Sequence, residues 1–225
     1  MISNYKNVNF IQIYGLMRSG NHAIIAWLMA NLAGLKKEPA TIAIKNLNQG
    51  LVIQQLGTVF HINNAKGGVA DHIDFCVSKG ATKILMSYED QPAAKAGDNH
   101  FMPNAKQITI TRDLNNLLAS RYKAMLRNDE WSQHFSFNED LYKVWLQHRL
   151  HKNVVHFEKW FTSKKYRDKI SEKLGVENLD VTWHVSGCGK GSSFEPNIPD
   201  MSKLLTRYKQ VELPEEWREF LKRNT

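Results

Sequence analysis

The stretch GLMRSGNH, which begins at Gly15, has the residue types of a loop that binds an anion. A second glycine, Gly20, follows after four residues and a helical pattern comes next. The backbone N–H groups of that helix start would therefore face a phosphate or sulfate.

Loops that bind nucleoside triphosphates continue with a lysine for the phosphates and a Ser or Thr for magnesium. Here these positions hold Asn21 and His22, and the cation is Arg18 within the loop. This set favours transfer of a group with less negative charge than a γ-phosphate, such as a sulfuryl group. The alternative is a strand-to-helix turn that binds nothing.

Two further stretches contain groups that bind anions. Arg112 closes a strand-like run, and Ser120 follows eight residues later on the next predicted helix. The two side chains can share an anion only if that helix lies alongside the strand end. The stretch GCGKGSSF, residues 187–194, offers backbone N–H groups, hydroxyls and one ammonium. Each stretch also has an ordinary interpretation: an exposed arginine with a helix serine in the first case, and a flexible surface loop in the second.

A base is needed if an acceptor hydroxyl is to attack, because the hydroxyl must lose its proton. The strand-like run KILMSY delivers Glu89 and Asp90 at its carboxyl end. We expect Glu89 to be the general base, with Asp90 as the alternative and a polar turn before Pro92 as the non-catalytic interpretation. His22 is a competing candidate, but its position at a helix start favours binding the sulfate and stabilising the leaving oxygen.

Strands that alternate with helices position these residues. The sequence predicts strands over 8–15, 82–88, 106–112 and 153–158, and a helix over 21–34 that ends at a glycine. Further helical patterns follow the later strands. This alternation predicts an α/β fold, a P-loop-type parallel sheet flanked by helices, as a single domain. Ligands of such sheets bind at the carboxyl ends of the strands, where the candidate residues lie.

Charge and composition restrict the partners. The net charge of +8 favours an anionic ligand, but the basic residues are dispersed, so we expect no dedicated nucleic-acid surface. Cys76 and Cys188 are too few for a disulfide framework, which fits a reducing compartment. No apolar run reaches the roughly 18 residues that span a bilayer, and no signal peptide is recognisable. We therefore expect a cytoplasmic protein without an integral membrane segment, and the histidines form no metal-like cluster.

The three anion-binding stretches, in this order, resemble the sulfotransferases that use 3′-phosphoadenosine-5′-phosphosulfate (PAPS). RSGNH, residues 18–22, looks like the 5′-phosphosulfate loop of that family, with Asn21 and His22 in place of the usual threonines. Arg112 and Ser120 match the arginine and serine of its 3′-phosphate motif, including their eight-residue separation. GKGSSF is similar to the glycine-rich loop near the end of bacterial members. Lys190 matches the lysine of the R-K-G segment of better-known members only loosely.

The resemblance implies a PAPS-dependent sulfotransferase domain over residues 1–225 that needs no metal and releases 3′-phosphoadenosine-5′-phosphate (PAP). It assigns the 5′-phosphosulfate to Arg18, Ser19, Gly20, Asn21, His22 and Ala23, the 3′-phosphate to Arg112 and Ser120, and closure over the nucleotide to Lys190, Gly191, Ser192 and Ser193. Glycan-modifying members use a glutamate after the corresponding strand. This supports Glu89 as the catalytic base, with Arg18 and His22 stabilising developing charge. The implied acceptor is a sugar hydroxyl, including one on a membrane-associated glycoconjugate.

Two alternatives remain open at this point. A degenerate P-loop phosphotransferase or kinase would need magnesium and a nucleoside triphosphate. A non-catalytic module that binds nucleic acid or acidic lipid would bind its anion without a base.

Overall fold

The computed structural model describes residues 5–37, 40–42, 53–63, 69–95, 98, 102, 104–127, 133, 135–181 and 205–224. Within these residues the strands are β1 (Asn9–Gly15), β2 (Ala40–Ile42), β3 (Ile53–Leu56), β4 (Val59–Ile62), β5 (Lys83–Glu89), β6 (Lys106–Thr111) and β7 (Val154–His156). The helices are α1 (Asn21–Ala33), α2 (Val69–Ser78), α3 (Leu114–Met125), α4 (Glu139–Leu150), α5 (Phe157–Thr162), α6 (Lys164–Leu174) and α7 (Glu215–Asn224). A 3₁₀ turn, Arg207–Gln210, precedes α7.

The described strands form one sheet in the order β2-β3-β4-β5-β1-β6-β7. From β4 to β7 all neighbours are parallel, and β1 lies between β5 and β6. Gly15 pairs with Glu89 of β5 and with Ile110 of β6, so the carboxyl ends of the three strands lie level. The predicted α/β fold with a P-loop-type sheet is confirmed.

Packing on both faces of the sheet explains why the strands carry few polar residues. Ile11 and Ile13 of β1 face a core formed with α1, α5 and α6, in which the rings of Trp27 and Trp160 meet edge to face at 6.0 Å. Phe10 belongs to the core on the opposite face. Because both faces of the sheet are covered, the sequence of β1 is largely apolar and does not alternate between apolar and polar residues. Its buried amide side chain is that of Gln12.

A third core lies at the end of the sheet where the candidate residues meet. It joins α3, α4 and α7, with Leu114, Leu117, Trp145 and Trp217 among its buried members. Leu16, the first residue of the glycine loop, is fully buried in this core. The loop is therefore anchored at its start by apolar packing.

The sequence prediction differs from the structure at two places. Antiparallel pairing of β2, β3 and β4 extends the sheet at one edge, and no pattern within residues 35–80 had indicated it. The predicted strand over 153–158 is too long, because Phe157 and Glu158 begin α5. No helix in the described ranges has the length and apolarity to cross a membrane.

Candidate anion-binding site

The glycine loop turns sharply between β1 and α1. The N–H of Ser19 donates to the carbonyl of Leu16 at 3.0 Å, and both Arg18 (φ 74°) and Gly20 (φ 88°) adopt the left-handed conformation. Gly20 caps α1 without any side-chain hydrogen bond, so the N–H groups of the first helical turn have no partner within the helix. A side chain at Gly20 would strike the ring of Phe157. The loop thus needs glycine here for both its backbone and its packing.

Three polar side-chain atoms of the loop and the helix start are buried without a hydrogen-bond partner among the described residues. They are the hydroxyl of Ser19, whose residue is fully buried, Oδ1 of Asn21 and Nδ1 of His22. Burying a polar group without a partner costs about 1–3 kcal/mol. The Ser19 hydroxyl, the His22 ring and the N–H groups of the helix start can each donate a hydrogen bond to an anion, whereas Oδ1 of Asn21 can only accept one.

Arg18 connects the loop to the second predicted stretch. Its Nε donates to the Ser120 hydroxyl on α3 at 3.3 Å, and its carbonyl accepts from Nη1 of Arg112 at 3.1 Å. The sequence left open whether α3 runs beside the end of β6. It does, and both Arg112 and Ser120 reach the loop, with Arg18 between them.

Arg112 is a buried cation, with 4% of its surface exposed. Its guanidinium lies 5.1 Å from the centre of the Phe157 ring, and its Nε is 3.7 Å from Oε1 of Glu158. Burial, together with the positive charge of Arg207, lowers the pKa of Arg112 to about 9, while the negative charge of Glu158 opposes the shift. Arg207, which no sequence pattern indicated, is itself 6% exposed. The pocket thus concentrates positive charge away from water.

Glu89 lies at the carboxyl end of β5, opposite Gly15. Its Oε1 accepts from Nδ2 of Asn21 at 3.1 Å, while Oε2 has no hydrogen-bond partner in the described part of the chain. Burial lowers the pKa of Arg18 and the pKa of His22, and the negative charge of Glu89 opposes both shifts. Glu89 is therefore close to the loop cations and keeps one oxygen available to accept a proton.

Asn21 acts on the loop itself. Besides Glu89, its Nδ2 is directed at the carbonyls of Leu16 (3.2 Å) and Gly15 (3.5 Å). A Cβ atom on Gly15 would collide with Oδ1 of Asn21, so these two residues pack directly together. The side chain of Asn21 therefore fixes the loop and orients Glu89. Asn21 would contact an anion through its backbone N–H at the helix start.

Asp90, the alternative base, has a different role. Its Oδ1 accepts from the N–H of Met17 and from Nη1 of Arg121, each at 2.9 Å, and its Oδ2 accepts from Nη2 of Arg121 at 3.3 Å. Arg121 also donates to the Met17 carbonyl at 3.3 Å and is fully buried. Both oxygens of Asp90 are occupied in holding the loop, so Glu89 stays the predicted base. Sequence reasoning missed Arg121, although it directly follows Ser120.

His61 and His148 have structural roles. His61 is enclosed between Gln54 and Ser87, at 2.9 Å from each, and burial lowers its pKa to about 3. His148 contacts the carbonyl of Gln91 at 2.9 Å, and burial lowers its pKa to about 4. Where side chains are described, no group of three or more His, Cys, Asp or Glu is arranged to hold a metal.

The remaining predicted cofactor residues, Lys190, Gly191, Ser192 and Ser193, lie outside the described residues. The backbone of Ala23 belongs to the first turn of α1, as expected for a residue that faces the loop. Comparison of the chain with protein-family models, with curated proteins and with solved structures finds no match.

Proposed function

We propose that this protein is a PAPS-dependent sulfotransferase that transfers a sulfuryl group to an acceptor hydroxyl. The observation that carries the proposal is the position of Arg18. Its guanidinium contacts Ser120 and its carbonyl contacts Arg112, so the loop and the second motif form one cationic pocket at the end of β1. A nucleotide with charged groups at both its 5′ and 3′ positions fits such a pocket.

The donors of the loop suit a sulfuryl group. Arg18 supplies positive charge, and His22, the Ser19 hydroxyl and the helix N–H groups can donate hydrogen bonds at the same point, without the lysine of a triphosphate loop. Burial strengthens these electrostatic interactions because the effective dielectric constant is lower than in water. Donors that are already in place stabilise charge as it develops on the bridging oxygen between sulfur and phosphate.

Residues of this chain can account for the proton and the charge that move during the transfer. Oε2 of Glu89 accepts the proton of the acceptor hydroxyl, and the hydroxyl oxygen forms a bond to sulfur. The bond between sulfur and the bridging oxygen breaks, and its electron pair stays on the 5′-phosphate of PAP. Arg18 and His22 stabilise that charge. Asn21 holds the other oxygen of Glu89, which fixes the carboxylate at the carboxyl end of β5. A sugar hydroxyl is the acceptor we expect, because of the glutamate and the resemblance described above.

Nucleotide binding distinguishes this function from its alternatives. PAP at 100 times its Kd should stabilise the fold by about 2.7 kcal/mol, a rise in Tm of roughly 5–10 °C. ATP with magnesium should give a much smaller shift. Stabilisation by ATP with magnesium but not by PAP would indicate the phosphotransferase. Binding of neither nucleotide would indicate another anion.

Catalysis requires a second measurement. Incubation with PAPS and a panel of glycan and phenol acceptors, followed by mass spectrometry, should show PAP release and a sulfated product.

Arg112→Lys should weaken the binding of PAP much more than the binding of adenosine 5′-phosphosulfate, because it removes a bidentate donor for the 3′-phosphate. Equal weakening of both nucleotides would contradict the assignment of Arg112.

A further inference from the structure

A network of hydrogen-bonded polar side chains crosses three strands and ends at the carboxyl edge of the sheet. Its members are Gln54 of β3, His61 of β4, Ser87 of β5 and Asn63, which directly follows β4. His61 lies 2.9 Å from Gln54 and 2.9 Å from Ser87. The Ser87 hydroxyl donates to Oδ1 of Asn63 at 3.0 Å, and Asn63 is partly exposed, whereas the other three members are buried. This polar network therefore ends at a side-chain amide that a ligand can reach.

The polar network places Asn63 beside the predicted base. Ile62 pairs with Met86 in the parallel register of β4 and β5. The next residues along the two segments, Asn63 and Ser87, therefore come level, in agreement with their hydrogen bond. Side chains two residues apart on a strand point to the same face, so Ser87 and Glu89 project to the same side, about 7 Å apart along β5. Asn63 and Glu89 thus border the same part of the surface, where both are partly exposed.

The start of α1 lies close to the polar network as well. Burial lowers the pKa of His61 to about 3, and the positive charge that His22 can carry contributes to this shift, so the two rings are near each other. Asn21, which precedes His22, holds Oε1 of Glu89 at 3.1 Å. The start of α1, the predicted base and Asn63 therefore border one site.

The amide of Asn63 has a donor to offer to a ligand. A side-chain amide carries one acceptor oxygen and two N–H donors on its nitrogen. Oδ1 of Asn63 accepts from the Ser87 hydroxyl, and Nδ2 has no hydrogen-bond partner in the described part of the chain. Because Ser87 is itself held by the buried His61, the oxygen end of the amide has a fixed position. Nδ2 can therefore donate to an oxygen atom of a ligand from a defined point.

Two hydrogen-bonding groups at this separation suit a ligand with two neighbouring oxygen atoms. In the proposed reaction, Oε2 of Glu89 takes the proton of one acceptor hydroxyl. Nδ2 of Asn63 can donate to a second oxygen of the same acceptor, because two hydrogen bonds of roughly 3 Å each reach across a gap of about 7 Å between strand positions. A sugar carries hydroxyls on adjacent carbons, whereas a simple phenol carries one hydroxyl.

We propose that Asn63 is a specificity-determining residue of the acceptor site, and that it donates to the oxygen next to the hydroxyl that is sulfated. The acceptor class that this predicts is a sugar with two adjacent hydroxyls. Ser87 and His61 are positioning residues, because they hold Asn63 without contacting the acceptor. The proposal rests on the function proposed above and names the acceptor of the same site.

The kinetics of PAP release from PAPS, measured on the full chain, test the proposal. The acceptors are the methyl glycosides of glucose, galactose and N-acetylglucosamine, the monodeoxy analogues of each, and para-nitrophenol, which has a single hydroxyl. For the glycoside that is sulfated fastest, loss of the hydroxyl next to the sulfated one should lower kcat/KM by about 3- to 10-fold, the range for a neutral hydrogen bond. Asn63→Ala should lower kcat/KM of the parent glycoside by the same factor and leave that of this analogue nearly unchanged. A general change in the structure would lower both values and would not produce this pattern.

Two further substitutions separate the role of Asn63 from that of its surroundings. Ser87→Ala should reduce the discrimination between the parent glycoside and its analogue in part, since Asn63 loses its anchor. Asn9→Ala, at an exposed asparagine that begins β1, is the matched control and should retain the full discrimination. Calorimetric titration should give the same Kd for PAP in all variants, because Asn63 contacts the acceptor and not the nucleotide.

The outcomes distinguish this inference from the proposed function. If the protein binds no PAP and sulfates no acceptor, both are wrong. If PAP binds but para-nitrophenol is a better acceptor than every glycoside, or no glycoside is sulfated, only the inference is overturned. Full discrimination against the analogue in Asn63→Ala refutes the role of Asn63. Should Asn63→Ala lose its cooperative unfolding transition, Asn63→Asp, which keeps the size but lacks Nδ2, decides in the same way.

Discussion

The shape of the glycine loop depends on the ion pair between Arg121 and Asp90, and Arg121→Met tests this dependence. Arg121 is fully buried, and the carboxylate of Asp90 is 16% exposed. Two hydrogen bonds join them, at 2.9 and 3.3 Å. Arg121 also donates to the carbonyls of Met17, Phe135 and Ser136. The substitution removes at least these five hydrogen bonds and leaves Asp90 with the Met17 N–H.

Breaking a buried ion pair by removing one partner costs about 3–5 kcal/mol. The partial exposure of Asp90 and its retained bond to Met17 reduce the penalty, so we expect about 3 kcal/mol for Arg121→Met. Asp90→Asn keeps the size and one acceptor but removes the charge, and should cost about 1–3 kcal/mol. The double substitution should cost less than the sum, with a coupling energy of about 1–3 kcal/mol, because the two side chains contact each other.

Urea unfolding followed by circular dichroism measures these free energies, and titration with PAP measures the effect on the loop. PAP affinity should fall in Arg121→Met, since Met17 loses its fixed position next to Arg18. Lys143→Met, at an exposed lysine of α4, is the control and should change neither quantity. A loss below about 1 kcal/mol in Arg121→Met, or additive single effects, would contradict the reasoning.

Three further predictions concern the base, the loop glycine and a buried histidine. Glu89→Gln should lower kcat by about 10²- to 10⁴-fold with PAP affinity nearly intact; unchanged turnover would place the base elsewhere. Gly20→Ala should cost about 1–3 kcal/mol more than Gly80→Ala in urea unfolding. Both positions have positive φ, but only at Gly20 would the methyl group meet the Phe157 ring. Equal losses would refute this packing. His61 is buried neutral with a pKa of about 3, so its contribution to stability is complete above pH 6.5 and is lost as pH falls towards 3. The loss should approach about 1.4 kcal/mol per pH unit below pH 6. Unfolding measured at pH 7, 6 and 5 should show a smaller slope in His61→Gln, and an unchanged slope would exclude His61 as the cause.

The sequence predicted the central part of the fold because local signals and tertiary packing agree there. The apolar run of β1, the glycine loop and the end of α1 at Gly34, which is left-handed at φ 66°, are each specified by nearby residues. Asp113 caps α3 through the Asn116 N–H at 3.0 Å, as its position before the helix indicated. Glu89 ends β5 and Arg112 directly follows β6, and both strands flank β1, so the parallel sheet alone brings the two residues to the loop.

Residues that act through contacts distant in the chain were not predictable in this way. The short strands β2 to β4 contain only three or four residues each, too few for an alternating pattern to stand out. Arg121 and Arg207 look like ordinary basic residues in the sequence. Their burial depends on how α3 packs against the loop and on how the segment before α7 returns to α3. The end of β7 was misjudged because the apolar Phe157 continues the strand pattern although it begins α5.

The positions of the arginines show how a loop without a lysine could bind an anion. A triphosphate loop carries its cation next to the second glycine, so its sequence alone reveals the charge. In this protein Arg18 lies within the loop, Arg112 directly follows β6, and Arg207 lies in the segment that precedes α7. Arg18 donates to the Ser120 hydroxyl, and Arg112 donates to the Arg18 carbonyl and lies against the Phe157 ring, so these contacts fix the positions of both guanidinium groups. Because these cations come from separate segments, the affinity of the site for an anion depends on the tertiary fold. Loosening the Arg121–Asp90 pair should therefore weaken nucleotide binding without removing a residue that contacts the ligand.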